Sequence, residues 1–73
     1  MTNTITKTLY IVSTYNDTPF NDEFKTTSYL EADLKVSENI KNKKYGMLIK
    51  YTFTENKEFP QLNKTIRETI KEF

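Results

Sequence analysis

The chain contains neither cysteine nor histidine, and in a polypeptide of 73 residues that absence limits how a fold can be held together. A domain of this size buries about 60% of the surface its unfolded chain exposes. Ordering it costs roughly 1.5 kcal/mol per residue. Small domains often add disulfides, a structural metal or a second subunit to meet that cost. Disulfides and the common Cys/His zinc sets are excluded here. Close packing and self-association remain. Five tyrosines and five phenylalanines supply large buried areas and make packing feasible. One domain spanning residues 1–73 is expected.

The same absence narrows the chemistry. Imidazole is the commonest general base and thiolate a common nucleophile. Asp17, Asp22 and Glu23 lie close together around a polar turn. Two carboxylates do acid/base work when burial drives their pKa values apart, and nothing in this turn suggests burial. The segment also lacks the ligand spacing of an EF-hand loop. With a single glycine, the chain has no Gly-rich phosphate loop. No enzymatic activity, metal or cofactor is expected.

Net charge is +1 but unevenly spread. Residues 1–40 hold three lysines against six acids, and residues 41–73 hold eight Lys/Arg against four acids. The abundance of Lys, Asn, Ile, Phe and Tyr, all with AT-rich codons, suggests an AT-rich genome such as that of a low-GC bacterium, a phage or another mobile element. Absence of cysteine fits a reducing compartment. No apolar run is long enough to span a bilayer, and the first residues do not read as a signal peptide. A cytoplasmic location is therefore expected.

Local patterning gives the expected elements. Residues 4–15 are rich in β-branched and aromatic types and read as a strand. Leu9, Ile11 and Tyr15 fall on one face, with Tyr10, Val12 and the alternating threonines on the other. Residues 16–22 read as a turn or short loop, and residues 23–26 as a short returning strand. Ser28 and Glu31 have the spacing of a capping box for a helix over residues 28–42. Gly46 is expected to permit the turn into a third strand. There Met47, Ile49, Tyr51 and Phe53 form the apolar, core-facing set. Pro60 suits a first helical position. Leu62, Ile66, Ile70 and Phe73 then recur at helical spacing, predicting a C-terminal helix. The expected fold is α+β: a small two-layer sandwich of order β-β-α-β-α, with a mainly antiparallel three-stranded sheet and two helices.

Three surfaces could carry function. The first helix has two apolar stripes. One contains Tyr29, Ala32, Val36 and Ile40, and the other contains Leu30 and Leu34. Packing of the second stripe against the C-terminal helix competes with binding to another chain. A second surface is basic: Lys41, Lys43, Lys44 and Lys50, with Tyr45 interleaved, could track a phosphate backbone and stack bases. Against this, cations near a helix C-terminus are ordinary, and Arg67 is the sole arginine. A third surface is the N-terminal half of the first strand, which outruns its short partner and leaves an edge open to β-addition.

The stretch from Phe24 to Ala32 is similar to the strand-to-helix junction of integrase arm-binding domains. Those domains place three strands before the helix, where two are expected here, and the resemblance implies no function.

The leading expectation is a non-enzymatic protein-binding regulator or inhibitor. Its partner-binding residues would be Tyr29, Leu30, Leu34, Asp17, Asp22 and Glu23. The second is a small nucleic-acid-binding protein using Lys41, Lys43, Lys44, Lys50 and Tyr45. The third is a structural homodimer joined by its first strands across a two-fold axis.

Overall fold

The computed structural model describes the backbone of residues 4–16 and 18–73, and the side chains of residues 4–15 and 24–73. Four strands, β1 (Thr4–Asn16), β2 (Thr18–Thr26), β3 (Tyr45–Asn56) and β4 (Lys64–Glu72), form one antiparallel sheet of order β2-β1-β3-β4. One α-helix, α1 (Tyr29–Lys41), follows β2. It carries the chain across β1 to β3, so β2 and β3 flank β1 on either side.

The first part of this order agrees with the sequence. Ser28 caps α1, its Oγ accepting from the Glu31 backbone N–H at 3.3 Å. The other half of the capping box is remade. The Glu31 carboxylate accepts from Thr26 Oγ1 at 2.7 Å, and Thr26 Oγ1 accepts from the Ser28 backbone N–H at 3.0 Å. The donor at the cap is thus satisfied from the end of β2, which ties strand to helix. Strand β2 begins much earlier than the four residues expected, because most of the segment read as a loop pairs with β1.

The C-terminal half departs from expectation. The predicted second helix is absent: Pro60–Leu62 form one 3-10 turn, and Lys64–Glu72 form β4 beside β3. The expected three-stranded sheet with two helices is therefore a four-stranded sheet with one. Two physical reasons favour the strand. Thr65, Ile66, Thr69 and Ile70 are β-branched and stiff at χ1, which suits a pleated surface. A strand here also satisfies the backbone groups along the far edge of β3. The four-residue interval from Ile66 to Ile70 fits either structure. A bulge at Ile70 shifts the register, so Leu48 faces Lys71 while Ile49 faces Thr69.

The face of the sheet covered by α1 is also the reverse of that expected. Val12 and Leu48, on the polar-looking set of each strand, are fully buried with Ala32 and Val36, and Tyr10, Phe24 and Phe73 pack around them. Met47, Ile49, Tyr51 and Phe53 lie on the opposite face, away from α1. The helix is about 20 Å long, against a long dimension of 47 Å for the chain. The N-terminal half of β1 and the adjoining ends of β3 and β4 thus extend past it as a three-stranded ribbon.

Gly46 plays a different part from the one expected. Its φ is not positive, and the turn after α1 is made by Lys43 at φ 58°. Gly46 is needed for space. A Cβ there would meet the Ser13 carbonyl oxygen, with Thr14 Cα and the Phe73 ring each at 3.0 Å. Gly46 and Phe73 exchange backbone hydrogen bonds at 2.8 and 2.9 Å, which docks the C-terminal residue over the core.

Candidate binding surfaces

The two leucines singled out on α1 are solvent-facing: Leu30 is 68% and Leu34 62% exposed. Nothing from the C-terminus covers them, because β4 lies at the end of the sheet away from β2. Leu34 borders a shallow depression shared with Phe24, Glu31, Lys35 and Glu38. Tyr29 differs from its neighbours, since its ring meets Tyr10 edge-on at 5.5 Å and so belongs partly to the core rim. Asp17 and the side chains of Asp22 and Glu23 lie outside the described residues.

The structure divides the basic set. Lys41, Lys43, Lys44 and Tyr45 are all exposed around the C-terminal end of α1. Lys50 is half-buried on the helix-side face of β3, between Tyr10 of β1 and Glu68 of β4. It stands about 17 Å along the strand from Tyr45, so the four lysines do not form one patch. Lys43, Lys44 and Tyr45 also share a cleft of about 440 Å³ with Ile40, Glu72 and Phe73.

The surface that sequence reasoning missed is the sheet face opposite α1. Along its centre run Leu9 and Ile11 from β1, and Met47, Ile49, Tyr51 and Phe53 from β3. Ile11 and Ile49 are directly paired and only 7% and 6% exposed. Arg67 stands opposite Tyr51, and its guanidinium reaches Met47 Sδ at 3.8 Å, so its side chain runs back past Ile49. Tyr51 and Phe53 stack with ring centroids 6.1 Å apart and an interplanar angle of 13°. Lys7 stands opposite Phe53. The strict alternation of apolar residues in β3 was visible in sequence. Of that set, expected to face the core, Ile49 is buried, Met47 and Tyr51 are half-buried and Phe53 is exposed, all on the side away from α1.

The other electrostatic feature joins β4 to α1. Lys71 Nζ lies 2.9 Å from Asp33 Oδ1. The hydrogen bond to that carboxylate, and then its charge, hold the Lys71 pKa above the ordinary lysine value. Among the described residues, no group of three or more acidic, His or Cys side chains could hold a metal ion, and no helix is long and apolar enough to cross a membrane. Comparison with models of protein families, with curated proteins and with solved structures finds no match to this chain.

Proposed function

We propose that the chain is a non-catalytic protein-binding regulator or inhibitor that takes its partner on the sheet face opposite α1. The observation carrying this reading is the row formed by half-buried Leu9, Met47 and Tyr51 and exposed Phe53 on the face away from α1. An antiparallel sheet with one face in water normally presents polar residues there. A contiguous apolar patch rimmed by charges marks an interaction surface. Stacked aromatics are favourable anchors because they offer large area with few rotatable bonds. Leu30 and Leu34 form a separate apolar patch on the other side of the molecule.

A second reading has a specific observation behind it. The stacked Tyr51 and Phe53, with Lys7 and Arg67 opposite them, resemble the chemistry by which sheet faces hold single-stranded nucleic acid. The two readings separate by salt, since phosphate contacts weaken steeply as counterions are added.

The test is affinity capture from nuclease-treated host lysate by the immobilised chain, using two double variants checked for folding by circular dichroism. Tyr51→Ser with Phe53→Ser is expected to lose the retained protein, and Leu30→Ser with Leu34→Ser to keep it. The reverse pattern moves the site to the helix and refutes this reading. In a separate nuclease-free assay, retention of single-stranded nucleic acid by the purified chain, lost between low and moderate salt, supports the second reading instead.

A further inference from the structure

We propose that two copies of this chain join edge to edge through β4, antiparallel about a two-fold axis at Ile66, making one continuous eight-stranded sheet. The inference goes beyond the partner-binding reading and stands without it.

Strand β4 pairs with β3 and reaches α1 through Lys71 and Asp33, and as the last strand of the sheet its outer edge pairs with no described strand. Such an edge is a template for another strand. Its side chains select the occupant. Of the charges on β4, Lys71 is engaged by Asp33. Lys64 and Arg67 in the N-terminal half and Glu68 and Glu72 in the C-terminal half remain. Antiparallel pairing with a second copy sets the basic half of each strand against the acidic half of the other. Parallel pairing in register would set like against like.

The register follows from three constraints. A shift by one residue would exchange the faces of the sheet, so only two-residue steps preserve the apolar side. Centring the axis on Arg67 or on Glu68 would place that residue against its own copy, and like charges directly opposite are destabilising. Centring it on Ile66 places Lys64 against Glu68 of the other copy twice and Ile66 against Ile66. Lys64, Ile66 and Glu68 share one face of β4, opposite Thr54, Thr52 and Lys50 of β3. Ile66 is 44% exposed, beyond the reach of α1.

The backbone supports the same centre. The last residue of the 3-10 turn, Leu62, and the bulge residue, Ile70, are equidistant from Ile66 on either side. The regular backbone between them is therefore symmetric about the axis. With the axis perpendicular to the sheet, both helices lie on one side. Both faces opposite the helices lie on the other and merge into one surface.

The absence of cysteine makes the test clean. Sedimentation equilibrium of the full chain at high micromolar concentration is expected to show a monomer–dimer equilibrium. Glu68→Lys is expected to raise the dimer dissociation constant on the order of tenfold, because two attractive pairs become repulsive. Adding Lys64→Glu to that variant is expected to restore it. Under mild oxidation Ile66→Cys is expected to form a disulfide-linked dimer, since directly opposed Cα atoms of an antiparallel pair lie about 4.5–5.5 Å apart, inside the disulfide range. A monomer at all concentrations overturns the proposal. So does a dimer unaffected by Glu68→Lys, or cross-linking through Thr6→Cys on the free edge of β1 in place of Ile66→Cys.

Discussion

Replacing Asn39 with leucine is expected to make this protein more stable. Asn39 lies on the buried stripe of α1 with Ala32 and Val36, and it is 1% exposed. Its backbone carbonyl accepts from Lys44 N–H at 2.9 Å, which closes the turn after the helix. Its side-chain oxygen and nitrogen have no hydrogen-bond partner. Each unpartnered buried polar group costs about 1–3 kcal/mol. Leucine removes both and favours the helix by a few tenths of a kcal/mol. Against this stands strain of about 1–3 kcal/mol from placing a differently branched side chain in a packed core.

The net expected gain is about 2 kcal/mol. A domain this size unfolds with an entropy of about 0.15 kcal/mol/K, so the melting temperature should rise by about 13 °C. Urea unfolding followed by far-ultraviolet circular dichroism provides the assay. The midpoint should move up with the slope unchanged, because the surface exposed on unfolding is almost the same. Asn39→Asp should move it down, because that variant buries a carboxylate. If Asn39→Leu lowers the midpoint, the amide is partnered in solution and the accounting above fails.

Two further outcomes follow from the packing. Gly46→Ala should cost several kcal/mol or prevent folding, because the new methyl group meets the β1 backbone rather than a movable side chain; a melting temperature within about 3 °C of the parent would contradict that close approach. For Lys71, folding raises the pKa above its ordinary 10.5, so the Asp33 contact contributes fully below that value and is lost as pH rises through the raised folded value. Asp33→Asn should therefore melt below the parent at neutral pH and low salt, with the gap closing in strong alkali and in high salt. A gap independent of pH would show that the contact acts by packing alone.

Residue types and their local spacing identified β1, α1 and β3, because each carries its signal within its own segment. Ser28 supplies the helix cap, the β-branched run from Thr4 supplies the first strand, and the alternation from Met47 supplies the third. The missing imidazole and thiol groups likewise bounded the chemistry before any fold was known. The exposure of Leu30 and Leu34 was legible only as an alternative, since it depended on where the C-terminus went. The loss of a unified Lys41–Lys50 patch was not legible, because it follows from the direction in which β3 leaves the turn.

Tertiary structure decided the remainder. A stretch holding Ile66 and Ile70 four residues apart satisfies helix and strand periodicity alike, and the open edge of β3 selected the strand. Alternation says that a strand has two faces without saying which one a helix will cover. Here α1 took the side of Val12 and Leu48 and left Tyr51 and Phe53 on the other. Both choices turn on backbone hydrogen bonds and packing between segments far apart in the chain, and a local pattern carries no information about such distant partners.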